Sequence, residues 1–401
     1  MVDDRLGTSL AAVGGNVLVG APGRDANSIF DSGAAYLFDA TTGGLLRTFS
    51  NPTPAAFDQF GSAVAGVDGK VLVGAPLKDA GAVSDAGAAY LFDGMTGGLL
   101  HTFSEPAPTT ESQFGAAVAG LGGNVLVGAP GGTGAAYLFD GMTGALLHAF
   151  MNPTPVAGDN FGISVAAVGG DVLIGAPGDD TGAMDSGAAY LFHFDGIVWM
   201  LQHTFLNPTP AMGDSFGSSV AGVDGKALVG APLHDEPGAD DAGAAYLFDG
   251  TTGFLVRTFL NPTPESADQF GQSVAGVGSN VAVGALFDDA PGTFDSGAAY
   301  VFDSSTGTLL DTLQKATPAD LDQLGFSVAG LGPFVLVGAP FDDTAAFDGG
   351  AAYLFSVPAL VIAPEPTALL LLGSGLVGLW VMAMWRGRTR LASPKRRGGN
   401  R

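Results

Sequence analysis

Seven copies of one phrase govern this chain. VLVGAP stands at residues 17–22, 71–76, 125–130 and 335–340, with VLIGAP at 172–177, ALVGAP at 227–232 and VAVGAL at 281–286. GAAYLF or GAAYVF follows each time, beginning at Gly33, Gly87, Gly134, Gly187, Gly243, Gly297 and Gly350. A third word, FG or LG, opens the units at 6, 60, 114, 161, 216, 270 and 324, so the steps are 54, 54, 47, 55, 54 and 54 residues. A fixed period of this size means stacked units, each of which needs its neighbours to bury an apolar face.

Each unit holds four short runs. In the second they are FGSAVAGV (60–67), KVLVGAP (70–76), GAAYLFD (87–93) and GLLHTF (98–103). Runs of this length, rich in Val, Leu, Tyr and Phe and bounded by Gly, Asp or Pro, read as strands, and no window shows a 3.6-residue period. Four strands per unit is the sequence form of a propeller blade, which predicts an all-β, seven-bladed β-propeller over 1–356. An open β-helix is the competing fold, although about 54 residues is long for one coil.

The strands differ as a blade requires. The first is rich in small residues (Gly61, Ser62, Ala63, Ala65, Gly66), which suits a crowded axis. The second and third are apolar on both faces, as strands sandwiched between blades should be. The fourth admits Arg47, His101, His148, His203, Arg257 or Asp311 at one position, which marks an outer, solvated strand. The third repeat is short by 7 residues between its second and third strands, an indel confined to a loop.

Composition narrows the function. Of 401 residues 64 are Gly and only 13% are charged, against about 25% in an ordinary domain, which fits a turn-rich β protein rather than a disordered chain. With no cysteine there is no disulfide, thiolate metal site or Cys nucleophile. All 39 acids fall at or before Glu365 with only 8 bases, a net charge of −31, so no nucleic-acid partner is expected for this body.

FG at the head of the first strand and GAP at the end of the second resemble the FG-GAP repeat of integrin α-subunit propellers and many bacterial surface proteins. The resemblance covers residues 4–356. It implies an extracellular adhesion or ligand-binding propeller. Some repeats of that family carry a D-x-D-x-D-G calcium loop between strands one and two. Here that loop is only AGVDGK, AGLGGN or AAVGGD, so those calcium residues have no counterpart.

Acids gather instead in the loop between strands two and three. The sets are Asp25 and Asp31; Asp79 and Asp85; Asp179, Asp180 and Asp185; Asp235, Glu236, Asp240 and Asp241; Asp288, Asp289 and Asp295; and Asp342, Asp343 and Asp348. Several converging carboxylates suit calcium, whereas Asp as a turn residue explains the same pattern without a metal. A second repeated acid precedes FG at Asp4, Asp58, Asp159, Asp214, Asp268 and Asp322, with Ser112 at the seventh place, and reads as turn chemistry. No G-x-S-x-G, HExxH or P-loop appears, and three of the five His share one outer-strand position on separate blades. The expectation is a non-enzymatic scaffold binding an extracellular polysaccharide or protein. The alternative is a secreted propeller hydrolase or lyase acting on such a polymer.

Beyond the repeats the composition changes. Residues 357–366 form a linker, 367–385 are 19 uncharged and mostly apolar residues, and 386–401 carry seven bases and no acid. A stretch of that length predicts a single C-terminal transmembrane helix, with the basic tail in the cytoplasm and the propeller outside. Pro364-Glu365-Pro366, the apolar span and the Arg cluster, in that order, resemble the PEP-CTERM sorting segment of Gram-negative bacteria. That resemblance implies recognition by an exosortase-type processing enzyme, an inner-membrane stage, and delivery to the cell surface or extracellular matrix.

The repeats supply 27 clear strands, one short of 28, and the missing one is the outer strand of blade seven. Either residues 357–362 improvise it or a segment upstream of Met1 supplies it. MVDDRLGTSL is not a signal peptide, which also points upstream, to a truncated or misassigned start.

Overall fold

In the computed structural model, which describes residues 3–26, 28–357 and 369–372, the repeats fold into seven four-stranded antiparallel sheets. Blade one runs from Ser9–Val13 through Asn16–Ala21 and Ala34–Phe38 to Leu45–Ser50, each strand paired with the next. The other blades repeat that order. The first strands of neighbouring blades lie against one another all the way round, the last against the first, so the sheets form a closed ring. This is the seven-bladed propeller.

The repeated words are explained at the seams. Gly61, of FG, has φ +99°, and its carbonyl lies 2.0 Å from where a Cβ on Gly20, of GAP, would stand. The same contact recurs between Gly74 and the Gly115 carbonyl, and the last closes on the first, with the Gly7 carbonyl 2.1 Å from the Cβ position of Gly338. FG of one blade and GAP of the previous one are therefore two halves of a single backbone approach, and neither tolerates a side chain. Serines on the inner strands reinforce it: Ser9 Oγ donates to the Gly61 carbonyl at 2.8 Å, and Ser327 Oγ to that of Gly7 at 2.7 Å.

The core is divided among the seven seams rather than gathered at a centre. Between blades one and two, Val13, Leu18, Leu37 and Phe49 meet Phe60, Val71, Val73, Tyr90 and Phe92, all buried. Phe60 lies 5.6 Å from Tyr90 and 6.0 Å from Phe92, while Phe49 reaches across the seam to Phe92 at 5.3 Å. Second and third strands are buried on both faces because blades cover both sides. The outer strands of blades one to six are exposed or half-buried except at one position, Phe49 in blade one and Phe103 in blade two, which turns into the seam.

One expectation at the C-terminus is corrected. The fourth strand of blade seven comes neither from residues 357–362 nor from upstream. It is Leu369–Leu372, paired antiparallel with Ala351–Ser356. Those four residues fall inside the stretch expected as a transmembrane helix, and here they are extended. The physical reason is the edge they cover, since an apolar third strand leaves a row of unpaired N–H and C=O groups until a fourth strand arrives. Among the described residues no helix is long and apolar enough to cross a membrane. The rest of 367–385, the Pro364-Glu365-Pro366 triplet and the basic tail lie outside the described residues.

Candidate functional site

Antiparallel order puts the loops joining strands two and three on the same end of the ring as the loops joining each blade to the next. The two kinds of loop are tied together. Phe57 N donates to the Phe30 carbonyl at 2.9 Å and Gln59 N to that of Asp31 at 2.9 Å, and the equivalents recur at Leu321–Phe294 and Asp3–Phe347. This end holds nearly all the acids singled out in the sequence.

The structure separates the three acids of the loops in blades four, six and seven. The first turns inward. Asp179, Asp288 and Asp342 are 1–4% exposed and accept hydrogen bonds from the hydroxyls of Tyr190, Tyr300 and Tyr353. The second caps its own loop: Asp180, Asp289 and Asp343 accept the backbone N–H of Asp185, Asp295 and Asp348 at 2.7–2.9 Å. The third sits at φ +53°, +52° and +46°, the left-handed turn conformation that Asp accepts better than most residues. Among the described residues no group of three or more metal-ligating side chains forms. The first acid of each of these loops thus serves a tyrosine hydroxyl and the second a turn N–H.

The inward acids belong to a buried polar cluster that recurs in six blades; blade three has Ser112 and Gly132 in place of its charged members, and its Tyr137 donates to Glu105 instead. Its first member is the acid before FG. Asp58 Oδ2 takes the Ala55 N–H at 2.7 Å and Asn51 Nδ2 at 2.6 Å, closing the NPTP loop from beneath. Its second is the GAAY tyrosine. Its third, two residues beyond GAP, changes from blade to blade: Arg24, Lys78, Gly132, Asp179, His234, Asp288, Asp342.

Charge decides how each cluster balances. Lys78 pairs with Asp58 at 3.1 Å and Arg24 with Asp4 at 3.7 Å. His234 faces Asp214 at 3.6 Å, and that carboxylate raises the imidazole's pKa against the opposing effect of burial. In blade seven Lys315 bridges both acids, at 3.0 Å to Asp322 and 2.8 Å to Asp342. Blades four and six have two acids, and neither pair has an ion-pair partner among the described residues. Burial opposes ionisation of Asp179, yet hydrogen bonds from Thr181, Tyr190 and Thr154 hold its pKa below the usual value. In blade six burial wins, with the Asp288 charge adding to it, and Asp268 is pushed up to about 7. Burial, helped by the Asp288 carboxylate, raises the Tyr300 phenol as well. These contacts tie the loop entering a blade to the loop between its second and third strands, as locks on that end of the blade.

Above the locks the same end exposes large apolar side chains, which the sequence reading passed over. Phe30 and Phe57 are 66% and 57% exposed, Phe294 and Leu321 61% and 51%, Met184 and Met212 58% and 70%, and Phe347 66%. Each couple joins one strand-two-to-three loop to the loop entering the next blade. The signal was present as Phe before Asp-Ser-Gly or Asp-Gly-Gly at 30, 294 and 347, but a loop position gives no sign of whether its side chain is covered.

Residues 1–38, 53–92, 155–192, 199–248, 263–302 and 314–355 match the FG-GAP repeat family, more than half of the chain, and the protein belongs to that family. The stretch left unmatched includes blade three, whose acidic loop is shortened. No curated protein matches the chain.

Proposed function

We propose that this FG-GAP repeat protein is an exported, non-enzymatic binding scaffold that holds an extracellular polymer or protein on the loop-bearing end of its ring. The observation that carries this is the set of exposed apolar couples, Phe30 with Phe57 and Phe294 with Leu321, standing on hydrogen-bonded loops amid acids. A soluble protein seldom leaves large apolar side chains clustered on rigid loops without a use for them, and aromatic anchors on a fixed frame are what binding surfaces employ. The absence of enzyme chemistry is part of the proposal. Its support is that the buried Asp–Tyr pairs are engaged with one another and stand on separate blades.

Export and sorting rest on the sequence. The Pro364-Glu365-Pro366 triplet, the apolar 367–385 stretch and the Arg-rich tail support a membrane-anchored stage, processing by an exosortase-type enzyme, and release to the surface or matrix. The test of function is an array of polysaccharides and matrix proteins probed with the full chain and with the double variant Phe30→Ala, Phe294→Ala. The proposal expects a bound class whose signal falls at least tenfold in the variant while its melting temperature is unchanged. Equal binding by both proteins would remove the apolar couples from the function.

A further inference from the structure

Blade seven differs from the rest in one connection. Elsewhere four to six residues join the third strand to the fourth, whereas here twelve separate Ser356 from Leu369. The strand that arrives after this detour is nevertheless in register. Leu371 stands opposite Ala352, the place where Phe49 faces Ala35, Phe103 faces Ala89 and Leu313 faces Ala299. Phe49, Phe103 and Leu313 are each 2% exposed, so in those blades this register position closes the seam. Leu369 stands opposite Leu354, the place of Arg47 opposite Leu37.

The same leucines lie inside the 19-residue apolar stretch. With Leu369–Leu372 in the sheet, only residues 373–385 remain before Arg386. As a helix those 13 residues would reach about 20 Å, short of the ~30 Å hydrocarbon core. A backbone group bonded to Ala351–Ser356 cannot also bond within a spanning helix, and a bilayer does not accept a lipid-exposed open strand.

We propose that the outer edge of blade seven is a strand-acceptor site whose occupant is Leu369–Leu372, and that seating this strand and burying 367–385 in a bilayer exclude one another. The second clause rests on the membrane-anchored stage proposed above; the first does not. The anchored form then carries blade seven with an open edge at Ala351–Ser356, and the ring gains its last strand only when the segment leaves the lipid. A chain cut between Pro366 and Leu369 keeps that edge open permanently.

The absence of cysteine makes the test clean. The double variant Leu354→Cys, Leu369→Cys in the full chain places two thiols at directly opposed positions, within disulfide reach. Leu354→Cys, Leu372→Cys, three residues out of register, is the control. In lipid-free protein, mild oxidation should link the first pair at least tenfold more than the control. In protein floated with phosphatidylcholine vesicles the linkage should fall at least tenfold. Linkage no greater than the control in the free protein overturns the acceptor site, and undiminished linkage in floated protein overturns the exclusion. Failure to float removes the span reading and the exclusion with it, leaving the linkage in free protein to decide the acceptor site alone.

Discussion

The guanidinium of Arg47, on the outer strand of blade one, donates to the carbonyl of Thr96 in the hairpin of blade two at 2.9 Å. Its stem lies against Gly97, where a Cβ would stand 2.7 Å from Cδ. The same latch joins His101 to the Met142 carbonyl at 2.9 Å, His203 to Thr251 at 3.1 Å and Arg257 to Ser305 at 3.1 Å. The outer position read from sequence as merely solvated is the rim fastening between blades.

Removing one fastening should cost little, because each is solvent-exposed. Arg47→Ala is expected to lower the unfolding free energy by about 0.5–1 kcal/mol. Arg47→Lys should recover part of it, since Lys reaches the carbonyls but lacks the planar fork. Chemical denaturation of the three proteins at one ionic strength measures both differences. A loss above about 2 kcal/mol would mean that the seam depends on the latch far more than exposed geometry allows.

The glycine approach should be far more costly. A Cβ on Gly74 would stand 2.0 Å from the Gly115 carbonyl, backbone against backbone, so Gly74→Ala is expected to lose on the order of 3 kcal/mol or fail to fold. Gly170→Ala is the matched control: nothing lies within 4 Å of its Cβ position, and its melting temperature should stay within a degree or two of the parent.

Blade six should lose stability as pH rises. The folded pKa of Asp268, raised to about 7 mainly by burial, exceeds the ordinary carboxylate value, so the native state binds the extra proton. Its contribution is complete below the unfolded pKa, near 4, and disappears as pH climbs through 7. Asp268→Asn keeps an oxygen for the Asn261 and Glu265 donors and carries no charge. Melting curves from pH 5 to 8 should show a shallower decline in the variant and a higher melting temperature at pH 8, and parallel declines would refute it.

Blade five adds a second decline of the same sign. His234 gains its raised pKa chiefly from Asp214, so its stabilisation is full below about 6.5 and fades as pH passes the folded value. His234→Arg, borrowing the residue that blade one uses, should hold the charge through pH 8 and flatten that part of the curve. Monitoring the His234 imidazole by NMR titration gives the folded midpoint directly, and a midpoint below 6.5 would reverse the sign.

Calcium should leave the protein unmoved. The acids of each loop already serve a tyrosine, a backbone N–H and a left-handed turn, and they point to different places. Melting temperatures with millimolar calcium and with chelator are therefore expected to coincide. A rise of several degrees with calcium would show native-state binding and restore the loops as sites.

What the sequence determined by itself is whatever repeats. Seven repeats of FG or LG, GAP or GAL, and GAAY, with strand-length runs and loop-confined indels, were enough for blade number, strand order and which strands lie inside, because a stacked architecture writes the same packing problem at every period. Only the tertiary structure decided what depends on two blades at once. That Gly20 and Gly61 form one contact and that Arg47 serves the hairpin of blade two are consequences of residues brought together from different blades, while the split between Asp179, facing its tyrosine, and Asp180, capping its loop, follows from how one loop folds onto its own blade. Exposure of Phe30 and Phe57 follows from what fails to cover them, which no local pattern records. The last strand shows the limit most clearly. Four leucines read correctly as apolar, and the open edge of Ala351–Ser356, separated from them by twelve residues in the chain but adjacent in space, supplies the backbone partners that make them a strand.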